Sequence, residues 1–114
     1  MKRLPVVADR ERGVCCEVKF ELPNAKAAET ADLLKALGDP TRLQIILALR
    51  AATDPICVCD FTDAFGLSQP TVSHHMGRLR AVGLVEATKR GIWSYYRLRP
   101  HLPEAVQRMI DALP

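Results

Sequence analysis

Leu67-Ser68-Gln69-Pro70-Thr71-Val72-Ser73-His74-His75-Met76-Gly77-Arg78-Leu79 is the stretch whose reading decides the fold. Val72, His75, Met76, Leu79 and Val82 recur at helical spacing, so one face of the segment is apolar and belongs against a core. Ser68 stands where an N-cap hydroxyl is wanted, Pro70 is tolerated in the first turn, and Gly83 closes the far end. The opposite face carries Pro70, Ser73, His74, Gly77 and Ala81, with Arg78 at its edge. Upstream, a short helix over about residues 60–65 stops at Gly66, and Gly66-Leu67-Ser68 turns the chain between the two. The pair predicts a helix-turn-helix.

The flanks extend this reading. Asn24 is a candidate N-cap for a first helix running to Leu37, with Ala27, Ala31, Leu34 and Leu37 along one stripe and Gly38 as terminator. Asp39-Pro40 restarts the chain as cap and first helical residue. The helix that follows, about residues 40–51, carries Leu43, Ile45, Ile46, Leu47 and Leu49 around most of its circumference, which predicts a central, buried position. Beyond Gly83, residues 84–88 and 92–98 flank Lys89-Arg90-Gly91 and predict a hairpin with a basic tip. Trp93 and Tyr95 fall on one hairpin face, Tyr96 and Leu98 on the other, as core or wing support. Pro103 opens a last helix with Val106, Met109, Ile110 and Leu113 on one side. Four helices, a β-hairpin and a helix make a mainly α winged helix-turn-helix over residues 24–114. Residues 1–23, broken by Pro5, Gly13 and Pro23, form an N-terminal arm carrying Cys15-Cys16.

The 114 residues suit one domain, and 48% hydrophobic content excludes a wholly disordered chain. The longest apolar run, Ile45–Leu49, is too short to cross a bilayer, so no membrane partner is expected. The start has no apolar h-region, which predicts a cytoplasmic protein with reduced thiols rather than a disulfide framework. Net charge is +3, but its distribution says more. Asp54, Asp60 and Asp63 precede the amphipathic helix, while Arg78, Arg80, Lys89, Arg90, Arg97 and Arg99 lie on or after it. A basic second half suits phosphates. Ser73 and His74 can reach base edges, and Gln69 can offer a bidentate amide to adenine. Arg78 suits a guanine or a phosphate, Thr71 with the first-turn amides a phosphate, and Arg90 a phosphate or the minor groove. No Gly-rich phosphate loop, paired-carboxylate constellation, nucleophile elbow or Cys-x-x-Cys occurs, so the chain does not read as an enzyme.

Four cysteines stand in two tight pairs, Cys15-Cys16 and Cys57-Val58-Cys59. Adjacent and one-apart thiols suit a soft, thiophilic ion better than they suit packing. A helix start beside Cys57 and Cys59 predicts lowered thiol pKa values. Inert buried cysteines, a structural Cys₄ zinc site, a redox switch and a constitutive architectural DNA-binding protein are the competing readings.

Four stretches together resemble the ArsR/SmtB family of metalloregulatory repressors, in its arsenic-responsive branch. They are Leu37-Gly38-Asp39-Pro40-Thr41-Arg42-Leu43, Cys57-Val58-Cys59-Asp60, the Leu67–Met76 run quoted above, and Lys89-Arg90-Gly91-Ile92-Trp93-Ser94-Tyr95-Tyr96. The resemblance implies a homodimer built from the first and last helices. It implies binding to double-stranded operator DNA and release on inducer binding. Cys57 and Cys59 look like the thiolate site of the arsenic and cadmium/lead branches. Arsenic members often carry a further cysteine three residues on, where this chain has Thr62. The missing thiolates are then expected from Cys15 and Cys16. The implied inducer is As(III) or Sb(III), with Cd or Pb as the alternative, and no resident cofactor is required. The zinc-sensing branch uses carboxylates and histidines on the last helix, near which this chain has only His101.

Overall fold

The structure, a computed structural model, describes residues 12–13 and 17–114. From Asn24 onward the chain forms α1 (Asn24–Leu37), α2 (Pro40–Ala51), β1 (Ile56–Cys57), α3 (Val58–Phe65), α4 (Gln69–Ala81), β2 (Val85–Arg90), β3 (Trp93–Leu98) and α5 (Glu104–Asp111). This is the expected winged helix-turn-helix with one added strand.

Apolar periodicity accounts for the core. Ile45, Ile46 and Leu49 of α2 meet Val72, Met76 and Leu79 of α4, all buried. Leu84, Val85 and Ile110 close the cluster from the hairpin and α5. Burying each such side chain is worth about 1.5–3 kcal/mol, which outweighs the weak helix propensity of β-branched Ile and Val.

The caps fix where the helices start. The Asp39 carboxylate accepts from the Arg42 amide at 3.0 Å, and the Ser68 hydroxyl accepts from the Thr71 amide. α4 ends as expected, with Gly83 N–H bonded to Arg80 O and Leu84 N–H to Leu79 O, the paired bonds of a Schellman motif. Gly66 holds φ 64, the left-handed conformation that the turn between α3 and α4 needs and that a side chain would resist.

Several boundaries differ from the sequence reading. Asn24 is the first helical residue of α1; the cap position falls to Pro23 and has no side-chain bond. α3 begins at Val58 rather than Asp60, because the Cys57 sulfur takes the cap role and accepts from the Cys59 amide at 3.4 Å. The hairpin turn is Gly91-Ile92, since Arg90 pairs with Trp93, so Lys89 and Arg90 belong to β2. β1 was not legible: it is two residues long, has no period, and exists by antiparallel pairing with the free edge of β3, Ile56 opposite Tyr96 and Cys57 opposite Tyr95. The sheet order is therefore β1-β3-β2.

Candidate functional site

α4 presents the face the sequence predicts. Gln69, Pro70, Thr71, His74, Gly77, Arg78 and Ala81 are exposed, Ser73 is half-buried, and Val72, Met76 and Leu79 are buried behind them. Two of the candidate base readers are already linked: Gln69 Nε2 donates to Ser73 Oγ at 2.6 Å. The Thr71 hydroxyl shares a 2.9 Å bond with Ser68 Oγ, which orients it at the helix start. A Cβ on Gly77 would meet nothing within 4 Å, so no contact among the described residues requires glycine there.

His75 does turn inward, and its setting is more specific than packing. Arg42 donates from Nε to Ala36 O at 2.6 Å, and its Nη1 lies 3.2 Å from His75 Nδ1. An arginine only donates, so Nδ1 accepts and the proton of the neutral ring sits on Nε2. Asp39 Oδ2 is 3.9 Å from the same nitrogen, beyond hydrogen-bond range. Arg42 thus joins the end of α1, the start of α2 and the middle of α4. In the sequence Arg42 stands within the Leu37–Leu43 stretch that carries the resemblance, but its contact with His75, 33 residues away, leaves no local signal.

In the wing, Arg90 ends β2 exposed to solvent beside Lys89, which is also exposed. Tyr96 and Leu98 pack against the core, while Trp93 is 47% exposed on the outer face, where Arg97 pairs with Glu86.

Cys57 and Cys59 are brought together. Cys57 is buried, Cys59 half-buried, and their sulfurs are 2.7 Å apart. The expected lowering of thiol pKa is not what Cys59 experiences. The hydrogen bond to the Cys57 sulfur, burial, and the nearby charges of Cys57 and Asp60 push it up to about 11. The contact between the sulfurs outweighs the helix start. Cys15 and Cys16 lie outside the described residues. Among the described residues no three His, Cys, Asp or Glu side chains cluster as a metal site, so a trigonal thiolate site needs a donor from elsewhere. Two convergent sulfurs fit a soft ion better than a hard one.

α1 and α5 leave an open, apolar groove of about 660 Å³ between them, lined by Leu33, Leu34, Val82, Leu102, Val106 and Met109. Of the predicted α1 stripe only Leu37 is buried; Ala27, Ala31 and Leu34 face solvent in the single chain. No helix among the described residues is long and apolar enough to cross a membrane.

The family described as bacterial regulatory protein, arsR family, matches residues 39–87, the span from the cap of α2 into the wing. An HTH-type transcriptional regulator of Methanocaldococcus jannaschii is 39% identical over 88 residues, covering 77% of this chain and 98% of the relative. The chain belongs to the ArsR/SmtB family of transcriptional regulators. The arsenical resistance operon repressor of Escherichia coli is 44% identical over 69% of this chain and 67% of its own length. A cadmium resistance regulatory protein of Listeria innocua is 35% identical over 71% and 67%. Among solved structures, the homodimeric winged helix-turn-helix domain of a possible ArsR-family regulator from Mycobacterium bovis superposes with TM-score 0.66 at 30% identity, covering 84% of each chain. As a member of the ArsR/SmtB family the chain is a DNA-binding regulator and not an enzyme.

Proposed function

We propose that this chain is a cytoplasmic, homodimeric repressor that leaves its operator when As(III) or Sb(III) is bound by cysteine thiolates. The observation that carries this reading is the convergence of the Cys57 and Cys59 sulfurs at the cap of α3, the first helix of the DNA-reading pair. Cys15 and Cys16 of the arm supply the remaining donors. Similarity to an arsenical resistance repressor supports the metalloid. Gln69, Thr71, Ser73, His74, Arg78 and Arg90 carry the DNA contacts, the first five from α4 and the last from the wing.

When bound, the ion supplies only cross-linking chemistry: it replaces thiol protons and fixes the sulfurs relative to one another. This chain's residues convert that into release. Cys57 caps α3 and, through β1, is bonded to β3 of the wing, so a sulfur pulled toward the arm strains both DNA-facing elements. The groove between α1 and α5 is the dimer face, in keeping with the homodimeric relative. A cadmium- or lead-responsive repressor is the second reading, favoured by similarity to the cadmium regulator. The deciding experiment is a competition of arsenite, antimonite, cadmium, lead and zinc for release of the protein from a selected operator duplex. Arsenite or antimonite should act at the lowest concentration. Release by zinc but not by arsenite overturns the assignment, and release by cadmium or lead alone selects the second reading.

A further inference from the structure

The wing ends in an apolar apex that neither the core nor the charge pattern uses. Arg90 and Trp93 are the last paired residues, which leaves Gly91-Ile92 as the whole turn. Gly91 holds φ 63 and Ile92 does not share the positive φ, the pattern of a type II′ turn, whose twist matches the strands. Such turns are normally built from polar residues, because the apex is the most solvated point of a hairpin. Here the apex is an isoleucine 89% exposed, followed by a tryptophan 47% exposed. Lys89 and Arg90, both exposed, stand directly behind it.

We infer that Ile92 is a wedge that enters the minor groove of operator DNA beside the site read by α4, pressing between adjacent base pairs. Two properties of the tip support a nucleic-acid occupant. Its flanking cations are complementary to the phosphate rails that border the groove. Its apex is a branched aliphatic side chain, the type that minor-groove proteins insert to part a base step and kink the duplex. A tip carrying only Lys89 and Arg90 would hold phosphates without reading sequence. Adding the isoleucine makes the cost of unstacking part of recognition, and that cost is lowest at pyrimidine–purine steps such as TA and CA/TG. The wing then selects bases that no α4 side chain touches. This inference rests on the DNA-binding role of the family and is independent of the inducer.

The test begins by selecting duplexes from a random-sequence pool with the full chain and with its Ile92→Ala, Ile92→Leu and Arg90→Ala variants. The wild type should enrich a pyrimidine–purine step at a fixed distance from the α4 site and bend the selected duplex, read by energy transfer between end labels. Ile92→Ala should bind that duplex about tenfold more weakly, lose the bend and lose the flanking preference, while keeping the α4 half-site. Ile92→Leu should retain all three. Arg90→Ala should weaken all sequences alike and flatten the salt dependence by about one unit. Ile92 is outside the core, so thermal unfolding of the variants should match the wild type. Unchanged affinity, bend and flanking preference in Ile92→Ala overturn the wedge. A uniform loss of affinity with the bend intact overturns it equally. Retained DNA binding with loss of a protein–protein contact would assign the apex to a protein partner instead.

Discussion

Gly77 and Asp39 show how single residues serve opposite ends. Glycine inside a helix costs about 0.5–1 kcal/mol relative to alanine, and nothing among the described residues occupies the space a methyl group would take. On the proposed reading the exposed face of α4 meets DNA, and Gly77 is where that face comes closest. Gly77→Ala should therefore raise the thermal midpoint by a few degrees and weaken operator binding by about 1–3 kcal/mol, as an overpacked contact does. Calorimetry and a binding titration on the same variant read the two signs. Asp39 caps α2, and its bond from the Arg42 amide, with the Arg42 charge, holds its carboxyl below the ordinary 3.8. A carboxyl so lowered stabilises the fold fully above pH 3.8, and that contribution is lost as pH falls through its folded value. Asp39→Ala should cost about 1 kcal/mol near neutrality, with the gap to wild type closing in acid, while Asp39→Asn should keep most of the cap. Urea unfolding across a pH series measures both.

At the scale of elements, arginines tie helices whose apolar faces alone would leave some freedom to slide. Arg50 of α2 donates from Nη1 to Ile110 O at 2.8 Å and Leu113 O at 2.9 Å, satisfying carbonyls at the end of α5. α5 is also one wall of the apolar groove. Arg50→Ala should destabilise the fold by about 1–2 kcal/mol and loosen the proposed dimer, and Arg50→Lys should recover only part, because an ammonium lacks the fork. Thermal unfolding and sedimentation of the two variants test this. The α4 helix was legible because its period and its caps agree. α3 was misplaced by two residues because a cysteine sulfur, outside the usual set of capping side chains, holds its start.

At the scale of the whole molecule, the proposed dimer sets what the thiols can do. A site that joins the arm of one chain to α3 of the other would act on the angle between the two α4 helices. Those helices must meet half-sites about one DNA turn, roughly 10 bp, or a multiple apart. Cys57→Ser chains and Cys15→Ser/Cys16→Ser chains should each fail to bind arsenite as homodimers. Their heterodimer should regain one intact site when ligation crosses the interface. Verified heterodimers that bind none place the site within a chain. Thiol titration with arsenite reads the outcome directly.

The sequence by itself determined the helices, the hairpin and the exposed face of α4, because each rests on spacing within one short segment. Alternation of apolar and polar residues at helical period is a local property, and so are the Asp39 and Ser68 caps. It also brought Cys57 and Cys59 to notice, two residues apart. Only the tertiary structure decided β1, the Arg42–His75 contact and the Arg50 clamp. These join residues 33 and 60 positions apart, or pair a two-residue strand with a distant edge. No periodicity in either partner records such a meeting, since it is fixed by how the core closes. The raised Cys59 pKa follows the same logic. Both thiols are visible in the sequence, but the bend that sets their sulfurs in contact is imposed where β1 gives way to α3.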